Sequence, residues 1–211
     1  MARTDDYVNA FRIAAAELQT RDPLETSQWS GADYDRTGQC FRLDFIGRGH
    51  VVTIPDVEVK LVDSEEEVPL TEKVLILHYL NRAIGVPEKG EWITYREVPS
   101  GEFYYSAFYK RAEAPLISAF GSHPAGLIRL APRIGGEPIS GQGDAAACFR
   151  ALPRVPISLV IWGGDDEFEP SGKILFDRSI PNYLPTEDIA WISGMIVYRL
   201  MKLARDMNGG R

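Results

Sequence analysis

Apolar residues recur along this chain with two different periods, and the switches between them mark out its elements. Val8, Phe11, Ala15 and Leu18 fall on one stripe at helical spacing, which predicts a first helix from about Thr4 to Gln19. Thr4 is placed to cap it, Asp5 and Asp6 suit its positive end, and Asp22-Pro23 ends it. After a polar connection over 26–39 the period becomes two. Phe41, Leu43 and Phe45 face one way, and Arg42 and Asp44 the other. Turns at Gly47-Arg48-Gly49 and Pro55-Asp56 set this run apart from 51–54 and 57–61, predicting a three-stranded antiparallel meander.

Helical spacing returns from Thr71, the expected cap, through Ile84, with Gly85 and Pro87 as stop signals. A strand is expected over 91–98, where Ile93 and Tyr95 alternate with Trp92 and Thr94. The span 103–120 is helical in pattern but holds Pro115, which must kink or split it. A Gly/Pro-rich stretch over 132–143 leads to a short helix expected to start at Asp144. The apolar run Ile157–Trp162, a charged tip and a second run ending at Asp177 make a hairpin. A last helix, capped by Thr186, carries Ile189, Ile192, Ile196, Leu200 and Leu203 on one stripe, with Arg199, Lys202 and Arg205 complementing its negative end. The whole reads as α+β. A single domain, 1–211, is expected, with a helical arm over 1–25 and a mixed or antiparallel sheet, built from a β-meander and a hairpin, packed against several helices.

Thirty acidic residues against 23 basic ones give a net charge of −7, which disfavours nucleic acid and anionic membrane as partners because both need a basic footprint. The stretch 189–198 is the longest uncharged one near the C-terminus and is too short to span a bilayer. The opening residues lack the apolar core of a signal peptide, so a cytoplasmic protein is expected. Cys40 and Cys148 read as two buried thiols, with one disulfide as the alternative. Neither belongs to a Cys-x-x-Cys pair, so no iron–sulfur cluster is expected. Nothing in the pattern fixes an oligomeric state.

Three stretches carry candidate chemistry. At the hairpin tip, Asp165, Glu167 and Glu169 project to one side if the chain is extended, and a divalent cation favours such carboxylates. The plain alternative is a solvated turn in which one carboxylate caps its own loop. In the second stretch, Gly135 to Asp144, glycines precede an Asp where the helix is expected, and a carboxylate there repels an anion, so N-capping by Asp144 is the better account than a phosphate cradle. In the third, Tyr104 pairs with Phe108 and Tyr105 with Tyr109 at helical spacing, a surface that either joins the core or stacks on a planar organic cofactor. His78, flanked by Asn81 and Arg82, reads as a hydrogen-bonded structural histidine, and no nucleophile motif is present.

Read together, Gly90-Glu-Trp-Ile-Thr-Tyr-Arg-Glu, Tyr104-Tyr-Ser-Ala-Phe, Gly135-Gly, Gly143-Asp-Ala-Ala, Leu152-Pro-Arg-Val-Pro, Trp162-Gly-Gly-Asp-Asp-Glu-Phe, Leu175-Phe-Asp and Leu184-Pro-Thr-Glu-Asp resemble a family carried as a domain of unknown function, number 3786. The resemblance runs from about Leu70 to Leu203. It implies an association with anaerobic bacteria and archaea, and no activity. Some members carry a cysteine-rich iron–sulfur segment, which this chain lacks. The resemblance groups Asp144, Trp162, Asp165, Glu167, Phe168, Asp177, Glu187 and Asp188. Two functions then compete. One is a ligand-binding or accessory protein of anaerobic metabolism, its cleft floored by Trp162, Phe168 and the Tyr104–Tyr109 aromatics, with Asp165, Glu167 and Asp177 selecting a small molecule. The other is a hydrolase-like enzyme in which Asp165, Glu167 and Asp177 hold a divalent cation and Asp144 or Glu187 is the general base. A non-catalytic interaction scaffold is a third reading.

Overall fold

In the computed structural model, which describes residues 2–209 with side chains from Asp6 to Met207, two antiparallel sheets share one hydrophobic core. The first sheet, β1 (Asp33–Asp35), β2 (Cys40–Phe45), β3 (Arg48–Thr53) and β4 (Val59–Leu61), runs in chain order. Along β2 the alternation holds, burying Phe41, Leu43 and Phe45 and exposing Arg42 and Asp44. The meander has four strands rather than three, because the short polar segment β1 pairs Tyr34 with Phe41. Its tight turn between β2 and β3 places Ile46 and Gly47 at φ 48° and 69°, the left-handed pair that a two-residue hairpin needs. A Cβ on Gly47 would lie 2.6 Å from the Ile134 carbonyl, so this turn can dock against the Ile134–Gly135 backbone only as glycine.

The second sheet has the order β5-β9-β8-β7-β6, from β5 (Trp92–Thr94), β6 (Gly136–Ile139), β7 (Ala145–Leu152), β8 (Val155–Trp162) and β9 (Ser171–Asp177). The expected β8–β9 hairpin is present, pairing Trp162 with Ser171 at its mouth. From Val155 to Ile161 every residue of β8 is buried, so this central strand is covered on both faces. The helix expected at Asp144 is a strand instead. Ala145, Ala146 and Ala147 have helical propensity, but pairing with Leu159, Val160 and Ile161 buries them in the sheet. The preceding glycines turn the β6–β7 hairpin, with Gly141 and Gly143 at positive φ. Asp144 therefore caps no helix; its Oδ2 accepts from the Gly163 amide at 2.7 Å.

Among the described residues seven α-helices surround the sheets: α1 (Ala2–Leu18), α2 (Pro23–Ser30), α3 (Leu70–Arg82), α4 (Gly101–Phe108), α5 (Ala114–Phe120), α6 (Ala125–Leu130) and α7 (Thr186–Gly209). The capping expected of Thr4, and the place of Asp5, lie outside the described side chains. Val8 is 53% exposed, and the inward stripe of α1 runs through Tyr7, Phe11, Ala14 and Leu18 instead. Asp22-Pro23 does not merely end α1. Asp22 Oδ1 accepts from the Leu24 and Glu25 amides at 2.9 Å and opens α2, with Pro23 in its first turn. Helix α3 begins at Leu70 with Pro69 at its cap position, so Thr71 is inside it. Beyond β5 the expected strand tightens into a 3₁₀ turn, Tyr95–Glu97, where Glu97 accepts from the Thr94 amide and hydroxyl. Thr186 spends its hydroxyl on the Pro99 carbonyl rather than capping α7. The α7 stripe is as expected, with Ile189, Ile192, Ile196 and Leu200 fully buried.

Both cysteines are free, Cys40 buried and Cys148 half-buried. Among the described residues no helix is long and apolar enough to cross a membrane.

Candidate functional site

Pro115 shapes an unusual stretch of backbone. Proline has no amide proton and its ring crowds the carbonyl four residues back, here that of Arg111. The helix answers by widening: Tyr109–Glu113 forms a π turn between α4 and α5, and the Ala114 amide reaches five residues back to the Tyr109 carbonyl. Such bulges recur at functional sites because they re-aim side chains without breaking the helix. Here the π turn lies against α7, where a Cβ on Gly194 would come within 3.1 Å of Arg111 Cγ. Arg111 runs past that glycine, and its guanidinium rests over the indole of Trp191, 4.3 Å from the ring centroid.

Among the described residues the three other half-buried arginines each donate at least one guanidinium proton to the protein, although Arg154 Nε is buried without a partner. Arg21 donates to the Asn81 carbonyl, Arg154 to the Gln28 carbonyl and Arg199 to Glu72. Among the described residues Arg111 makes no hydrogen bond or ion pair and keeps only its ring contact. It lines a cleft of about 390 Å³ closed by α1, α3, the π turn and the start of α7. Val74, Leu75, Trp191 and Met195 make the apolar floor, and the Tyr7 ring meets Trp191 edge-on at 5.9 Å. Arg111 and Glu187 are shared with a smaller neighbouring hollow of about 250 Å³, which reaches Tyr95 and Tyr104.

His78 stands across the cleft on α3. Its Nδ1 lies 2.6 Å from Oδ2 of the buried Asp188. A carboxylate can only accept, so Nδ1 carries the proton and Nε2 is the atom left for the cleft. The Asp188 hydrogen bond holds the imidazole above its ordinary pKa; burial opposes the shift, and Glu17 and Glu187 reinforce it. The cleft thus offers an Arg111 guanidinium and a His78 Nε2 over an apolar floor, with the Asp6 and Glu187 carboxylates on its lining as well.

The residues singled out from the sequence separate into groups. Asp144, Trp162, Asp165, Glu167 and Phe168 gather at the β8–β9 mouth, where Trp162 is 41% and Phe168 70% exposed. Asp165 caps its own turn, Oδ1 accepting from the Glu167 and Phe168 amides at 2.9 and 2.8 Å; these bonds hold its carboxyl below the usual range. Asp177 sits at the far end of β9, six residues from Ser171, or roughly 20 Å along the strand. It is buried and fully engaged, accepting from the amides of Lys89, Gly90 and Ser179 and from the Ser179 hydroxyl. Burial alone would raise its pKa, but these donors hold it below the ordinary value. Asp165, Glu167 and Asp177 therefore do not converge, and among the described residues no three His, Cys, Asp or Glu side chains form a metal-sized cluster. The aromatic rows divide as well. Phe108 is core, stacked on Tyr95 at 4.0 Å, and Tyr105 donates to the buried Glu113 at 2.6 Å. Of the ligand candidates, Glu187 lines the cleft and Tyr104 lines the neighbouring hollow.

The chain belongs to the family described as Domain of unknown function (DUF3786). The family model matches residues 22–199, beginning well before Leu70 and taking in both sheets, the π turn and the first half of α7. No curated protein and no solved structure matches the chain.

His78, Arg111 and Trp191 were not legible as one site because they lie on three elements that meet only in the fold. Two local signals were available. Pro115 inside a helical pattern marks Arg111 as the residue whose carbonyl must be displaced, and Asp188 and Trp191 share a helix face at i, i+3.

Proposed function

We propose that the chain is a small-molecule-binding protein whose site is the cleft between α1, α3, the π turn and α7. The observation that carries this reading is the set of unspent hydrogen-bonding groups there: the Arg111 guanidinium and His78 Nε2 both line a cavity floored by Trp191 and Met195. Its volume of about 390 Å³ falls within the range of small-ligand pockets. Partly apolar walls with a few convergent polar groups are what such pockets present. Tyr104 and Glu187 belong to the extension of the same site. The acidic composition, with its net charge of −7, supports a role away from nucleic acid.

A fragment screen by thermal shift tests the reading. Fragments that raise the melting temperature lose their effect in Trp191→Ala and keep it in Trp162→Ala, with circular dichroism confirming that both variants fold. Stabilisation lost in Trp162→Ala and kept in Trp191→Ala would move the site to the hairpin mouth.

A further inference from the structure

We infer that this cleft takes a small organic anion, its carboxylate or phosphate group gripped between the Arg111 guanidinium and the imidazole of His78. The inference rests on the binding reading above and names the ligand class and the regulation of that site.

Arg111 is the first reason. A half-buried guanidinium normally spends N–H donors on carbonyls or carboxylates, as Arg21, Arg154 and Arg199 each do here with at least one of theirs. Resting over Trp191 occupies the face of the guanidinium and leaves its hydrogen-bonding edge, the part that matches a carboxylate or phosphate in a bidentate fork. Glu187 lines the same cleft, yet among the described residues it makes no ion pair with Arg111.

His78 is the second. With Nδ1 committed to Asp188, protonation at Nε2 turns an acceptor into a charged donor directed at the ligand. The charged groups around it are Asp6 and Glu17 from α1, Arg111 from the π turn, and Glu187 and Asp188 from α7. Four of these five are acidic, so they favour the imidazolium, and Asp188 at 2.6 Å is the closest of them. The site is therefore a two-cation grip at low pH and a one-cation grip once His78 loses its proton. Anion affinity falls as pH rises through the His78 pKa, which lies above its ordinary value of 6.5.

Three isosteric probes decide the matter: benzoate, benzamide and benzamidinium, each followed by ligand-observed NMR between pH 5.5 and 9. Benzoate is expected to bind at least 5-fold more tightly than benzamide at pH 5.5. That preference shrinks as pH rises, and benzamidinium does not bind. His78→Gln removes the pH dependence, and Arg111→Met, which keeps the apolar stem over Trp191, removes the preference for benzoate. Equal binding of benzoate and benzamide, or preferred binding of benzamidinium, overturns the anion assignment while leaving a ligand cleft in place. Failure of all three probes to bind counts against the cleft itself.

Discussion

His78 Nδ1 lies 2.6 Å from Asp188 Oδ2, tying α3 to the first turn of α7 across 110 residues of chain. The pair joins the wall of the cleft to its floor, so it is structural and chemical at once. Asp188→Asn keeps an acceptor in place but removes the charge. The expected result is a His78 pKa displaced downward in an NMR titration and a loss of about 1 kcal/mol near pH 6 in urea unfolding, a charged hydrogen bond discounted for the partial exposure of His78. An unmoved His78 titration would show that the two side chains are not paired in solution.

The two histidines whose titration the fold perturbs should act on stability with opposite signs. His78 has a raised folded pKa, so its contribution is complete below 6.5 and is lost as pH rises through the folded value. His50 is buried beside Phe45, and burial lowers its pKa despite the Arg48 carbonyl that accepts its Nδ1 proton. Its contribution is present above 6.5 and is lost as pH falls toward the folded value. Relative to the wild type, His78→Gln should therefore be most destabilised at pH 5.5 and least at pH 9. The deficit of His50→Gln should be larger at pH 9 than at pH 5.5. Chemical denaturation at the two pH values checks both.

Asp177 holds the loop before β5 against the end of β9 by accepting from three amides and one hydroxyl. Asp177→Ala leaves the buried Ser179 amide and hydroxyl without a partner and frees the more exposed Lys89 and Gly90 amides. It should lower stability by about 2–3 kcal/mol, while Asp177→Asn loses less because one oxygen remains. Millimolar Mg²⁺ should raise the melting temperature of neither the wild type nor the variants through this residue. A Mg²⁺-dependent rise that Asp177→Asn removes would restore a cation-holding role.

Much of the fold was legible because burial and period agree. Phe41, Leu43 and Phe45 alternate into the core, and Ile189 to Leu200 repeat at helical spacing into it. Where period and propensity carry nothing, the sequence misleads. Asp33–Asp35 is too short and polar to show alternation, and Ala145–Ala147 takes its strand state from its neighbours in the sheet. The site was less legible than the fold. Density of charge drew attention to Asp165 and Glu167, whose turn absorbs Asp165 in its own hydrogen bonds. The cleft depends on solitary residues, His78, Arg111 and Trp191, each ordinary in its own segment and brought together by the packing of α7 on α3 and the π turn.

Gly194 lets Arg111 pass along α7, with its would-be Cβ 3.1 Å from Arg111 Cγ. Gly194→Val should push the guanidinium off Trp191 and weaken benzoate binding several-fold with little change in fold, as read by the same NMR titration and by circular dichroism. Undiminished binding would mean that the seat of Arg111 over Trp191 is not needed for the grip.

The most direct test of the cleft as the ligand site uses the four tryptophans, Trp29, Trp92, Trp162 and Trp191, whose indole N–H groups give separate signals in one ¹⁵N spectrum. On titration with benzoate at pH 5.5 the Trp191 signal should move, and the Trp162 signal at the hairpin mouth should stay. A shifting Trp162 signal beside a fixed Trp191 would contradict the account.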